Sequence, residues 1–100
     1  MAVVAYLRVS TERQFLENQR EEIIRFAERN GMSIDKWYTE TVSGSVSSKE
    51  RKLSGVLDRM RPGDSLIVTE ISRLSRTLLE IMTILNSCIK KGVILYSTKE

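Results

Sequence analysis

The chain has 100 residues, 41% of them hydrophobic and 29% charged, and this length and balance are typical of one compact domain. It contains no histidine, which excludes a Ser-His-Asp triad, a Cys-His pair and every histidine-based metal site. The single cysteine, Cys88, excludes an internal disulfide and lies in an apolar run that predicts a small buried core residue. Because the chain has neither a long apolar run nor a secretory signal, we expect a cytoplasmic protein that does not enter the membrane.

The basic residues are mostly arginines. The chain has 16 Lys+Arg against 13 Asp+Glu, a formal charge of +3, and ten of the basic residues are arginine. Arginine is favoured where a planar fork must grip a phosphate or a carboxylate through two hydrogen bonds. The arginine content therefore favours binding of a phosphate or a carboxylate group.

The first half of the chain predicts a strand, a helix, a second strand and a loop. Residues 2–9 are apolar or β-branched at nearly every position, which predicts a strand buried on both faces of a parallel sheet. Helical spacing of apolar residues from about Gln14 to Asn30 predicts an amphipathic helix, and Met32 to Tyr38 is typical of a strand. Thr39 to Lys49 is rich in Ser, Thr and Gly, and predicts a mobile surface loop.

The second half repeats the alternation. A short helix over Leu53 to Met60, a turn at Pro62-Gly63-Asp64 and a strand over Ser65 to Thr69 are followed by a helix over Thr77 to Lys91 and a strand over Val93 to Ser97. We expect an α/β fold whose four-stranded, mostly parallel sheet has helices on both faces. The last helix carries more apolar residues than one sheet-facing stripe requires, which indicates a partner surface.

Two strand ends carry residues suited to phosphate chemistry. Arg8 and Ser10 are two apart at the end of the first strand and would share a face, while Arg73 and Arg76 are three apart just past the third strand and would share one side of a helical turn. Ligands bind at the carboxyl ends of strands in open parallel sheets, so these side chains could converge on one phosphate. Each feature also has a plainer interpretation, since arginines near strand ends are mostly solvated or ion-paired and Ser-Thr pairs often cap helices. No G-x-x-x-x-G-K-[ST] pattern is present, which argues against a P-loop nucleotide hydrolase.

Taken together, the motifs resemble the catalytic domain of the serine recombinases, the resolvase and DNA invertase family. The matching motifs are Tyr6-Leu7-Arg8-Val9-Ser10-Thr11, Gln14, Gln19, Ser43-Gly44, Gly63-Asp64 and Ser72-Arg73-Leu74-Ser75-Arg76. They follow the family's order and spacing over essentially the whole of residues 1–100, and residues 70–82 are most similar to the branch that contains master DNA invertases.

The resemblance implies a site-specific DNA recombinase in which Ser10 attacks a DNA phosphodiester to form a 5′-phosphoserine link, followed by strand exchange and religation. Arg8, Arg73 and Arg76 would bind the scissile phosphate and stabilise its developing charge, so neither a metal nor another cofactor is implied. Two further positions that shape the pocket in the family are matched by Gln14 and Gln19.

This sequence departs from the family pattern at two places. The family commonly has Asp before the first arginine of the second motif, where this chain has Ser72, so no carboxylate role transfers to that position. The family's arginine after the serine-rich loop aligns without a gap on Glu50, whereas a one-residue shift places Arg51 there. Arg51 is the preferred candidate, and Lys49 is the alternative.

The resemblance also implies partners and further domains. They are double-stranded DNA and a homodimer that forms a synaptic homotetramer, with a dimerisation helix and a helix-turn-helix domain downstream of residues 1–100. Two alternatives stay open: a recombinase-like module that binds DNA or a partner without cutting, and a small phosphate-ester hydrolase. The sequence leaves open whether the natural reaction is inversion, resolution, integration or transposition.

Overall fold

A computed structural model of the chain describes residues 1–9, 13–41, 52–71, 74–75 and 77–99. Within these ranges the chain alternates strands with helices. The elements are β1 (Val3–Val9), α1 (Arg13–Arg29), β2 (Lys36–Thr41), α2 (Lys52–Arg59), β3 (Ser65–Val68), α3 (Leu78–Lys91) and β4 (Ile94–Ser97).

The four strands form one sheet in the order β2-β1-β3-β4, and all three pairings are parallel. This confirms the predicted four-stranded, mostly parallel sheet. Because the strands are parallel, their last residues all lie along one edge of the sheet, here called the carboxyl edge, and their first residues lie along the opposite, amino edge. The carboxyl edge is formed by Val9, Thr41, Val68 and Ser97.

Alternate side chains of the central strands enter two different hydrophobic cores. Val4 and Tyr6 of β1 face α2 and α3, whereas Ala5 and Leu7 face α1. The first core also contains Leu53, Val56, Leu57, Met60, Leu66, Val68, Leu74, Ile84, Cys88 and Val93. The second adds Ile23 and Ile67, with Leu16, Phe26 and Trp37 packed against them. The helices therefore cover both faces of the sheet, as the apolar runs of the strands predict.

The second strand begins four residues later than predicted. Met32 to Asp35 form the connection instead, since the Met32 N–H bonds to the Ala27 carbonyl at 2.8 Å and closes the end of α1. Gly31 allows this tight exit because its φ is 66°, in the left-handed region. The Asp35 N–H then donates to the Val3 carbonyl, and the Asp35 carboxylate accepts from the Val3 N–H, both at 2.8 Å. Burial of apolar residues in this connection explains why the sequence pattern indicated a strand.

The second strand also continues further than predicted. Thr39–Thr41 belong to β2 and pair with Leu7–Val9 of β1, so the predicted loop is wrong for these three residues. The rest of that predicted loop, including Ser43-Gly44, lies outside the described residues. The other predicted elements begin and end within one residue of the observed ones.

The ends of α3 follow the predicted signals. The Thr77 hydroxyl accepts the Glu80 N–H at 3.3 Å and caps the first turn, and Gly92 ends the helix at a φ of 76°. Cys88 on this helix is buried as predicted, and burial raises the pKa of its thiol. Within the described ranges, no helix combines the length and the apolar character needed to span a membrane.

The outer side of α3 carries the surplus apolar residues noted in the sequence. Leu78, Leu79, Met82 and Ile89 are between 53% and 81% exposed, while Ile84 and Cys88 on the same helix are buried. These four exposed residues are called the α3 apolar surface below. No described part of the chain covers them.

Asp64 fastens the amino edge of the sheet. Its two carboxylate oxygens accept the N–H groups of Ala2 and Arg61, each at 2.9 Å. These two backbone hydrogen bonds hold the pKa of Asp64 below its usual value. One carboxylate therefore joins the start of β1 to the turn that precedes β3.

We expect Asp64→Asn to lower the melting temperature at neutral pH, because an amide cannot accept hydrogen bonds at both of its ends. The folded-state pKa lies below the unfolded value of about 4, so the stabilisation is present above that value and is lost as the pH falls through the folded pKa. Thermal melts between pH 2 and pH 7 should show less acid dependence in the variant. Asp58→Asn, at an exposed position on α2, should melt near the wild type, and equal losses in both variants would contradict the assignment.

Candidate active site

Arg8 lies on β1 at the carboxyl edge and is only 6% exposed. It is two residues from Tyr6, so its side chain projects to the face covered by α2 and α3. A guanidinium stays charged in proteins, and burying one is costly unless its hydrogen bonds and charge are compensated. The fold therefore holds a fixed positive charge at the end of a central strand.

Glu40 supplies a negative charge next to this arginine. It pairs with Arg8 in the parallel register of β1 and β2, and it is 7% exposed. Its Oε1 accepts a hydrogen bond from the Tyr6 hydroxyl at 2.7 Å, which places the Glu40 side chain on the same sheet face as Tyr6 and Arg8. The side chains of Arg8 and Glu40 are thus both buried, at paired positions of adjacent strands and on the same sheet face.

The sequence interpretation missed Glu40, because it assigned this position to a loop. A signal was present: Thr39 and Thr41 are β-branched and extend the run begun by Trp37 and Tyr38, which favours a longer strand. In that longer strand Glu40 falls on the same face as Tyr38. Parallel pairing with β1, which the sequence does not display, is what brings it beside Arg8.

Gln19 of α1 fixes the backbone of Arg8 from the opposite face of the sheet. Its Nε2 donates to the Arg8 carbonyl at 3.4 Å, and its Oε1 accepts from the Thr69 hydroxyl at 3.4 Å. All three residues are buried. The structure therefore brings two of the residues singled out in the sequence, Arg8 and Gln19, into direct contact.

The two residues between the predicted arginines Arg73 and Arg76 are buried and hydrogen-bonded. Leu74 is fully buried in the core beneath α2 and α3, and its N–H donates to the Ile71 carbonyl at 3.0 Å. Ser75 is also buried, and its hydroxyl accepts the Thr77 N–H at 3.3 Å. Thr77 has an extended backbone, so α3 begins only after it, one residue later than predicted.

Charged and polar groups surround the end of β4. The Lys99 ammonium lies 3.9 Å from a carboxylate oxygen of Glu22 on α1 and 3.7 Å from one of Glu70, the residue before Ile71. The Thr98 hydroxyl donates to the second Glu22 oxygen at 2.5 Å. These contacts tie α1 to the chain segments that follow β3 and β4.

Most of the predicted site residues lie outside the described residues. These are Ser10, Arg51, Ser72, Arg73 and Arg76, together with the side chain of Gln14. In the chain, Ser10 follows Val9 directly, and Arg73 is two residues after Ile71. Among the described residues, no three His, Cys, Asp or Glu side chains come together as metal ligands would.

The chain matches a known protein family. Residues 3–100 match the family model described as "Resolvase, N terminal domain". The chain belongs to this family. Its relatives include the Transposon Tn2501 resolvase of Escherichia coli. The two are 46% identical over an alignment of 82 residues, which covers 79% of this chain and 40% of that protein. The serine recombinase PinR of Escherichia coli strain K12 is 35% identical over 91% of this chain and 46% of its own length.

Solved structures show the same resolvase fold. The C-terminal catalytic domain of ISC1926 TnpA, described as an IS607-like serine recombinase, superposes with a TM-score of 0.80 at 23% identity and covers 100% of this chain and 71% of that one. The N-terminal catalytic domain of TP901-1 integrase gives a TM-score of 0.79 at 20% identity, over 98% of this chain and 77% of that one. At these identities the likeness concerns the fold.

We expect Tyr6→Phe to destabilise the resolvase domain by about 1–3 kcal/mol, because buried Glu40 loses a hydrogen-bond donor while the ring still fills its place in the core. Urea unfolding followed by circular dichroism measures the change. Tyr96→Phe, which removes a hydroxyl from a half-buried tyrosine packed against the other core, is the matched control. A loss no larger in Tyr6→Phe than in the control would show that the Tyr6–Glu40 hydrogen bond contributes little.

Proposed function

We propose that this chain is the catalytic domain of a site-specific DNA recombinase whose nucleophile is Ser10. The observation that carries the proposal is the match of residues 3–100 to the resolvase N-terminal domain, which spans every predicted site residue. The chain spans 40% of the Tn2501 resolvase and 46% of PinR. The activity, substrates and partners of the whole protein are therefore part of the proposal.

In the proposed reaction, the Ser10 Oγ attacks the phosphorus of one DNA phosphodiester. The bond between phosphorus and the 3′ oxygen of the neighbouring nucleotide breaks as the Oγ–P bond forms. The Ser10 hydroxyl gives up its proton and the departing 3′ oxygen takes one up, so the step has no net change in protons. The 5′ phosphate remains on the serine as a diester, so the free 3′ hydroxyl of an exchanged strand can reverse the step. The chain's own arginines provide the charge stabilisation, and the proposal requires no metal or other cofactor.

The environment of Arg8 supports its role in this reaction. The pentacoordinate phosphorus carries extra negative charge, and a positive charge already held in place stabilises it without reorganisation. Buried Arg8 is fixed through its backbone by Gln19 and has the Glu40 carboxylate in the neighbouring register position. In the proposal Arg73 and Arg76 complete the phosphate clamp.

Three further residues have subordinate roles. Gln14 and Gln19 shape the pocket around the phosphate, and Ser72 occupies the position before the first arginine of the second motif. Because the hydroxyl of Ser72 cannot act as a carboxylate base, the proposal gives it no part in proton transfer.

The proposed partners are double-stranded DNA and further copies of the protein. A homodimer that pairs into a synaptic homotetramer brings four active serines to two duplexes, and the α3 apolar surface supports contact between subunits. A dimerisation helix and a helix-turn-helix domain would lie in the remainder of the protein. Since the substrate is DNA and the relatives are bacterial, the proposal places the protein in the cytoplasm.

We expect the full-length protein to form a covalent adduct with DNA that is lost in Ser10→Ala. A duplex that contains the recombination site is incubated with the protein and run on a denaturing gel. A 3′-end label should travel with the protein, whereas a 5′-end label should appear in a free fragment, because the serine holds the 5′ phosphate. Ser33→Ala, at an exposed serine in the connection between α1 and β2, is the matched control.

The rival functions give different results in this experiment. An adduct that persists in Ser10→Ala would remove Ser10 from the role of nucleophile. DNA binding without any adduct would indicate a binding module, and release of unattached fragments would indicate a hydrolase.

A second experiment identifies the arginine that follows the serine-rich loop. We expect Arg51→Ala to slow adduct formation by about 10²–10³-fold, the usual cost of removing one donor that stabilises transition-state charge. Lys49→Ala and Glu50→Ala should each stay within a few-fold of the wild type, and Lys90→Ala on α3 controls for loss of surface charge. A larger loss in Lys49→Ala than in Arg51→Ala would reassign the role to Lys49.

A further inference from the structure

Thr69 is the first residue after β3, and both its side chain and its backbone form hydrogen bonds. It is 3% exposed, and its hydroxyl donates to Gln19 Oε1 at 3.4 Å. Its carbonyl accepts from the Ser97 hydroxyl at 3.2 Å and the Lys99 N–H at 2.9 Å. The end of β3 is thus fixed to both α1 and the end of β4.

The Gln19 side chain connects β1 to the end of β3 beyond the last paired residues of the two strands. Paired residues of these two strands run from Val3↔Ser65 to Ala5↔Ile67, although β1 continues to Val9. Beyond that point the Gln19 amide connects the Arg8 carbonyl to the Thr69 hydroxyl. A side-chain amide therefore joins these two chain segments beyond their last paired residues.

The Thr69 hydroxyl supplies the hydrogen-bond donor that the orientation of the Gln19 amide requires. The Arg8 carbonyl can only accept, so the Gln19 NH₂ group must face it, and the Gln19 oxygen must then face Thr69. That buried oxygen needs a donor, which a threonine or serine hydroxyl provides and a valine does not. The contact depends on the hydroxyl rather than on the shape of the side chain.

Both bridged strand ends lead to proposed catalytic residues. β1 carries Arg8 and continues to Ser10, and the chain reaches Arg73 four residues after Thr69. A displacement of about 1 Å between such groups can slow a reaction about 100-fold. We infer that Thr69 is a positioning residue for DNA cleavage, which acts through Gln19 to set the separation between the Arg8 strand and the segment that carries Arg73. This inference rests on the proposed recombinase function.

The test compares Thr69→Val with Thr69→Ser in the full-length protein, using the 3′-labelled duplex under single-turnover conditions. Thr69→Val, which keeps the shape and removes the hydroxyl, should slow adduct formation about 10- to 100-fold while DNA affinity stays within about threefold. Thr69→Ser should return the rate to within a few-fold of the wild type. Thr83→Val, at an exposed threonine of α3, is the matched control and should cleave at the wild-type rate.

A double-mutant cycle checks that Thr69 acts through Gln19. Gln19→Met removes the amide at nearly constant length, and adding Thr69→Val to it should slow cleavage no further. Melting curves by circular dichroism identify variants that are folded at the assay temperature. If Thr69→Val is not folded, Thr69→Ala and Gln19→Met, each compared with the wild type, provide the same test of the rate at unchanged DNA affinity.

The possible outcomes separate this inference from the proposed function. A wild-type protein that forms no Ser10-dependent adduct overturns both. A wild-type protein that cleaves, together with a folded Thr69→Val that cleaves equally fast or that weakens DNA binding instead of the rate, overturns the positioning role alone. Fully additive rate losses in the cycle would also overturn it.

Discussion

Parallel pairing of the strands is the constraint on which the rest of this structure depends. It requires each connection to return across the sheet, which the helices do on both faces, and it places every strand end at the carboxyl edge. The segments that follow β1, β2 and β3 contain Ser10, Arg51 and Arg73 respectively. Parallel pairing therefore makes these three segments leave the sheet at one edge, although they are distant in sequence.

Two buried charged residues, Arg8 and Glu40, occupy paired positions of β1 and β2 at this edge. Charges inside a protein are costly to bury, but in a medium of low dielectric constant they also act on their surroundings more strongly than in water. Arg8 and Glu40 are held by the paired strands, and Tyr6 orients Glu40 from within the same core. In the proposed reaction, the positive charge of Arg8 would need little rearrangement to meet an anionic transition state, which is how preorganised sites accelerate phosphoryl transfer.

The two edges of the sheet are held by different kinds of hydrogen bond. At the amino edge, carboxylates of Asp35 and Asp64 accept backbone N–H groups and close the ends of the fold. At the carboxyl edge, the Gln19 amide joins the Arg8 carbonyl of β1 to the Thr69 hydroxyl after β3, beyond the last paired residues of these two strands. The α3 apolar surface remains uncovered by the described chain.

The sequence by itself determined the elements and their order, because apolar periodicity and the glycines at helix ends are local signals. It also determined the burial of Cys88 and the exclusion of histidine chemistry, which need no knowledge of neighbours. Only the tertiary structure decided the strand order β2-β1-β3-β4, the extension of β2 through Thr41, and the contacts of Glu40 and Gln19. The β-branched residues Thr39 and Thr41 favour a strand around Glu40, but they do not show which strand pairs with it. The partner is Arg8 of β1, 32 positions earlier in the chain, and no local pattern contains the free energy of a contact between residues so far apart.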